Sequence, residues 1–187
     1  MPFPTSFSKT IYETENDNYR ITAIVNNDIM YYGIENKQGT SLVDNIYSNM
    51  EYAYGDYFIV ENKEEKYGII EANGKIILET KYDLIQKIKD KNIIQILSRK
   101  NNNIKIYSSK MEKKVDMKAA TLQNNTNYVK IVSKDETIYL DKDGNKIDEK
   151  SDIVINDLKK KLPDKIGNYK KQQNTLDDAY YEKVDKK

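Results

Sequence analysis

At 187 residues the chain has the length of one domain, or of one domain with a tail. It contains no Cys and no His, which excludes a disulfide framework, metal sites built on thiolate or imidazole, and the His-dependent chemistry of Ser and Cys hydrolases. Charge is abundant but balanced, with 31 Lys and Arg against 30 Asp and Glu, so the net value of +1 points to no polyanionic partner.

The distribution of charge says more than its sum. Residues 1–80 carry 6 basic and 13 acidic side chains, a net of −7, whereas residues 81–118 carry 11 basic and 4 acidic ones, a net of +7. An acidic half beside a basic middle favours association with a dipolar partner or with a second copy of the chain.

Residues 1–18 open with Pro2 and Pro4 and have neither a basic n-region nor an apolar h-region, so they are not a signal peptide. They read as a linker or a partial first repeat. No run approaches the 18 or so apolar residues of a membrane span, so this segment is expected not to insert into a membrane. An excised domain would place the protein outside the cell or at its surface; a complete one would place it in the cytoplasm.

From residue 19 to 150 the chain repeats itself. Tyr31-Tyr32-Gly33-Ile34-Glu35-Asn36-Lys37-Gln38-Gly39 matches Lys66-Tyr67-Gly68-Ile69-Ile70-Glu71-Ala72-Asn73-Gly74. Degenerate copies follow at Ile104-Lys105-Ile106-Tyr107 and at Thr137-Ile138-Tyr139-Leu140-Asp141-Lys142-Asp143-Gly144. The copies register at positions 33, 68, 105 and 138, and such a period must be read before any local pattern. Asn73-Gly74 and Asp143-Gly144 are hairpin signals, because both tolerate a positive φ. Strand-like runs precede each copy, at 21–25, 57–62, 93–98 and 128–133. The early glycines, Gly33 and Gly68, fall inside strands, where glycine marks a bulge or a close backbone approach. With no sustained helical period, the expectation is an all-β array of four antiparallel repeats of about 35 residues, either an open meander or propeller-like.

Residues 151–187 form a C-terminal extension, partly helical. A helix from 151 to 162 is expected with Ser151 as N-cap, Ile155, Leu158 and Leu162 on one face, and Pro163 as its stop, although 152–155 would serve equally to extend the last repeat. A second helix is expected to open at Thr175, with Leu176, Ala179, Tyr180 and Val184 as its stripe.

The repeat resembles the WG-repeat family of bacterial β-repeat proteins. That family's order is an aromatic-Gly pair, two aliphatics, an acidic residue, Gly-Lys with further aliphatics, and a Tyr-Asp element. Residues 66–83 carry it as Lys66-Tyr67-Gly68-Ile69-Ile70-Glu71, Gly74-Lys75-Ile76-Ile77 and Lys81-Tyr82-Asp83. Tyr32 and Tyr67 stand where the family has Trp, and the third and fourth copies lack the early Gly. The resemblance implies a β-repeat scaffold with a binding role and no established catalytic residues.

Three constellations remain. Residues 139–145 invite comparison with a calcium loop, but either register puts Tyr139 or Lys146 at a position the loop cannot spare, so a hairpin turn is expected and no metal or cofactor. The basic run Lys87, Lys89, Lys91, Arg99, Lys100 and Lys105 could contact phosphates, but Gln86-Lys87-Ile88-Lys89 alternates as a solvated strand face does, and lysines on exposed strands also discourage edge pairing. Tyrosine is the anomaly, at 16 residues against 3 Phe and no Trp. Tyr47, Tyr52, Tyr54 and Tyr57 crowd one short segment, with Tyr52 and Tyr54 expected on one strand face. Tyr offers flat apolar area with a polar tip, suited to a protein or glycan partner, though cross-strand packing explains such residues as well. Tyr52, Tyr54 and Tyr57 are therefore the candidate binding residues, with no catalytic set. A half-molecule at −7 would repel a phosphate backbone, so nucleic acid is not expected. The reading is a non-enzymatic interaction module; the alternatives are a small inhibitor or immunity-type protein and, third, a carbohydrate-active enzyme.

Overall fold

The computed structural model describes residues 8–161, with side chains described as far as residue 159. The segments 1–7 and 162–187, including the helix expected at Thr175 and the positions Leu162 and Pro163, lie outside the described residues. The described residues are all-β with one short helix. Sixteen strands form four antiparallel sheets, each a plain meander of four consecutive strands. Sheet 1 holds β1 (Lys9–Glu13), β2 (Tyr19–Asn26), β3 (Ile29–Asn36) and β4 (Ser41–Tyr47). Sheet 2 holds β5 (Asn49–Tyr54), β6 (Tyr57–Glu61), β7 (Tyr67–Glu71) and β8 (Ile76–Tyr82). Sheet 3 holds β9 (Leu84–Lys87), β10 (Ile93–Ser98), β11 (Asn103–Ser108) and β12 (Lys113–Met117). Sheet 4 holds β13 (Thr121–Asn124), β14 (Val129–Val132), β15 (Thr137–Leu140) and β16 (Lys146–Ile147). The segment read as a linker or partial first repeat thus supplies the edge strand of sheet 1.

The four copies share one turn between their third and fourth strands. The N–H of Asn36, Glu71, Ser108 and Asp141 donates to the carbonyl of Thr40, Lys75, Glu112 and Asn145 respectively, at 2.8–2.9 Å. Three residues into each turn the backbone is left-handed, at Gly39 (φ 83°), Gly74 (87°), Met111 (61°) and Gly144 (84°). These positions fall in the register read from the sequence. Asp141 caps its turn by accepting the Asp143 and Asn145 N–H groups on Oδ1, both at 2.9 Å. The expected hairpin turn is therefore what the carboxylate serves.

Gly33 and Gly68 are structural equivalents. Each sits where the third strand is paired through two register shifts, Tyr32/Ile34/Glu35 against Tyr47/Val43/Ser41 and Tyr67/Ile69/Ile70 against Tyr82/Leu78/Ile76. A Cβ on Gly33 would lie 2.4 Å from the Val43 carbonyl oxygen, and one on Gly68 would lie 2.6 Å from that of Leu78. Backbone fills the space a side chain would need, which is the close approach expected of a glycine inside a strand.

The sheets stack in chain order, and each interface is an apolar cluster. Ile21 and Ile34 of sheet 1 pack with Phe58, Val60 and Ile70 of sheet 2. Ile59 and Ile69 from the other face of sheet 2 pack with Ile94 and Ile96 of sheet 3. Ile104 and Ile106 pack with Val129, Ile131 and Leu140 of sheet 4. Among the described residues no apolar cluster joins sheet 4 back to sheet 1.

Both ends of the stack are finished differently from its middle. The positions that face the preceding sheet are Phe58 opposite Ile70 in sheet 2, Ile94 opposite Tyr107 in sheet 3 and Val129 opposite Leu140 in sheet 4. In sheet 1 the same positions are Arg20 opposite Glu35. Glu35 is 2% exposed, is held by Lys9, and lies 3.0 Å from Arg20, which also reaches Glu13 at 3.9 Å. Ion pairs replace hydrocarbon where, among the described residues, no apolar sheet meets this face, as terminal repeats of stacked arrays require. At the other end helix α1 (Asp152–Lys161) lays Val154, 1% exposed, against Tyr128 and Tyr139. The helix follows Ser151, but Ser151 does not cap it as expected, since its Oγ is buried without a hydrogen-bond partner and only its carbonyl accepts from Val154 and Ile155. The buried face is Val154 and Asp157, and Leu158, expected inside, is 47% exposed. The reason is that the receiving surface is the polar-tipped tyrosine face of sheet 4, which takes one short aliphatic side chain.

Candidate functional site

The tyrosine-rich β5 lies across the face of sheet 1, contacting β2 and β3. Among the described residues β1 and β5 are both outermost strands of their sheets, and residues of both line one gap. The gap is a groove of about 470 Å³. Tyr12, Ile21 and Tyr32 of sheet 1 and residues 49–52 of β5 line it, with Glu13, Thr14 and Glu15 along one rim and Lys87 at one end.

Each wall has a local cause. Tyr12 and Tyr32 share a face of sheet 1 and their rings stand 6.4 Å apart. Tyr52 is fixed edge-on against the buried Phe58, at 5.5 Å and 71°. Thr14 holds the rim loop through its hydroxyl, whose one proton is shared between the carbonyls of Asn16 and Tyr19, both at 2.8 Å. Asn16 ties that loop to sheet 2 through Gly55 O at 2.7 Å, and Tyr19 does the same through Asp56 at 2.8 Å. The groove is therefore anchored to both sheets. Lys87 reaches from β9 to place its ammonium 6.0 Å from the Tyr52 ring and 5.6 Å from the Tyr54 ring, a cation–π contact with both.

Of the three tyrosines singled out by sequence, Tyr52 lines the groove. Tyr54 does not share its face: a register shift between Tyr52 and Tyr54 turns the strand, so Tyr52 packs toward sheet 1 and Tyr54 toward sheet 3. Tyr54 donates its hydroxyl to the Lys91 carbonyl at 2.9 Å, tying sheet 2 to sheet 3. Tyr57 packs on the same side as Tyr54, away from the groove. Tyr12, Tyr32, Glu13 and Glu15 are the residues that sequence reasoning missed. The alternation of Lys9-Thr10-Ile11-Tyr12-Glu13 is the available signal, since it is a strand pattern with Tyr12 on one face.

The basic middle of the chain is in part structural. Lys91 is 6% exposed and donates to Asn124 Oδ1 at 2.9 Å and to the Asn125 carbonyl at 2.8 Å. Burial, with Lys142 nearby, pulls its pKa below the ordinary lysine value. Lys105 lies 5.4 Å over the Tyr82 ring and 3.9 Å from Asp116. Among the described residues no three acidic side chains gather as a metal site would require.

Six described tyrosines have their pKa raised. For Tyr19 the hydrogen bond to Asp56 is the main cause, and for Tyr47, Tyr54, Tyr67, Tyr107 and Tyr128 it is burial. A raised folded-state pKa contributes stability that is complete below the unfolded value of about 10 and is lost as pH rises through the folded value. The protein is accordingly expected to melt at progressively lower temperature above pH ~10, with tyrosinate absorbance rising later in the folded protein than in urea. Coincident folded and unfolded titrations would contradict this.

No helix of the described residues is long and apolar enough to cross a membrane. Comparison of the sequence with protein-family models and with curated proteins finds no match.

Proposed function

We propose that the chain is a non-enzymatic binding module whose partner, a protein or a glycan, enters the groove between sheets 1 and 2. The observation that carries this reading is the groove itself: three tyrosines from two sheets, Tyr12, Tyr32 and Tyr52, line one open cleft whose rim is hydrogen-bonded to both sheets. Rigid aromatic side chains present large contact area at little entropic cost, which is what recognition surfaces use. Binding is favoured over catalysis because the carboxylates here are rim groups, with the Glu13 and Glu51 side chains 63% and 56% exposed. Kinship with the WG-repeat proteins belongs to the same reading, supported by the bulged aromatic-Gly strands.

The test is an isotope-labelled titration against a set of oligosaccharides and short peptides, run beside a mobility-shift assay with DNA and RNA at near-physiological salt. Ligand-induced shifts should fall on Tyr12, Tyr32 and residues 49–52, and Tyr32→Ala should weaken binding at least tenfold, about 1.4 kcal/mol. Tight nucleic-acid binding that falls steeply with salt and is lost in Lys89→Glu but not Tyr52→Ala would place the partner on the basic face instead.

A further inference from the structure

We infer that the free edge of β5 receives an extended peptide segment bearing lysine or arginine, which adds to sheet 2 as a fifth strand. This rests on the groove being the binding site.

The first argument is main-chain geometry. β5 is the outermost strand of sheet 2, and its other side pairs with β6, so among the described residues one edge of its backbone has no strand beside it. The Met50 N–H is held by Asn49 Oδ1 at 2.9 Å, a side chain that an incoming strand would displace or bond in turn. Four consecutive residues of that strand, 49–52, line the groove, so the cleft runs along the strand rather than across its end. An outward row of N–H and C=O groups is a template for another strand, and peptide ligands exploit it by β-augmentation. The register shift after Tyr52 ends the straight run, which limits the ladder to residues 49–52. That is roughly 13 Å at ~3.3 Å per residue.

Side-chain chemistry then selects the peptide. Glu13, Glu15 and Glu51 line the groove with Lys87, which is already engaged with the Tyr52 and Tyr54 rings and lies 4.0 Å from Glu51. Glu13 is itself paired with Lys37 at 3.4 Å and Arg20 at 3.9 Å, so Glu15 and Glu51 carry most of the selection. Alternate side chains of an added strand point to one face, so cations two residues apart would meet the carboxylates and the tyrosine faces together. The contact of Lys87 with two tyrosines shows the same chemistry within the molecule. A glycan would use the rings but has no main chain for the strand edge, and a phosphate backbone would meet three carboxylates.

The probe is the capped hexapeptide Lys-Val-Lys-Val-Lys-Val. Its controls are the Glu-Val counterpart, a version N-methylated at alternate residues so that one edge has no donors, and a chito-oligosaccharide. The lysine peptide should shift and protect from exchange the amides of residues 49–52. N-methylation, the glutamate peptide, or Glu51→Lys in the protein should each weaken binding by about tenfold or more. Glu51 is exposed, so its variant should fold, and an unchanged melting curve checks that. Equal binding of the N-methylated peptide overturns the added strand while leaving the groove as the site. An oligosaccharide that shifts the groove where the lysine peptide does not overturns the peptide but again keeps the groove. Peptide shifts confined to residues outside the groove overturn both, and silence of the lysine peptide overturns the strand inference alone.

Discussion

Gly68→Ala, and equally Gly33→Ala, should lower stability by about 3 kcal/mol, the upper end of what overpacking a well-filled site costs. Neither glycine needs a positive φ, so backbone strain is not the cause. The cause is contact: the added Cβ would lie 2.6 Å from Leu78 O and 2.9 Å from the Thr80 N at Gly68, and 2.4 Å from Val43 O at Gly33. These neighbours are backbone atoms of the adjacent strand, which cannot rotate aside as a flexible side chain can. Relief would require opening the double register shift that pairs β3 with β4 or β7 with β8. In a domain of this size the loss corresponds to roughly 6–12 °C in melting temperature. Gly55→Ala is the control, because its φ is +54° but nothing lies within 4 Å. It should cost only the left-handed strain of about 1 kcal/mol. Melting curves that rank Gly55→Ala below the other two would show that the close approach is not what these glycines are for.

The same pairs explain what could be read from the sequence and what could not. Spacing carried the repeat further than residue identity did. The third copy lacks the turn glycine, yet Met111 takes the left-handed conformation there and Ser108 caps the turn through its hydroxyl. Turn geometry is set by the strands on either side, and one unfavourable φ is tolerated where the register demands it. The groove was legible only through Tyr52, because its other walls come from residues distant in sequence. Nothing local tells that β5 will lie across Tyr12 and Tyr32. Nor does alternation reveal the bulge that sends Tyr52 and Tyr54 to opposite sides, since a bulge breaks the very period from which faces are inferred. The face of α1 departs from expectation for a related reason: Ile155 and Leu158 make a better apolar stripe than Val154 and Asp157, but the helix answers to the surface it lands on.

The variant carrying Arg20→Phe, Thr22→Val and Glu35→Ile together should remain folded and begin to self-associate. The three new residues are those that sheet 2 carries at the equivalent positions, where Phe58, Val60 and Ile70 are almost fully buried against sheet 1. The substitution therefore rebuilds an inter-sheet surface on the outward face of sheet 1. Replacing a buried ion pair by hydrocarbon of similar shape is often neutral or stabilising, because the cost of desolvating the charges disappears with them. Glu35→Ile alone should behave differently. It leaves Arg20 and Lys9 facing hydrocarbon without their shared carboxylate, and the loss should fall below the ~3–5 kcal/mol of a fully buried pair, because Lys9 is 45% exposed and can turn to water. Arg20 is the open site of the three, with 20% of its side chain exposed against 3% for Thr22 and 2% for Glu35. Burying a Phe side chain releases roughly 1.5–3 kcal/mol, so the new ring, backed by Val and Ile, has a drive to meet another copy. Sedimentation velocity should show the triple variant shifting to larger species with rising concentration, at a melting temperature no lower than that of the parent protein. If it sediments as the parent does while staying folded, the charges on sheet 1 are not what ends the stack. Association weakened by salt rather than strengthened would count against the charges in the same way, since an interface built on hydrocarbon tightens as salt is added.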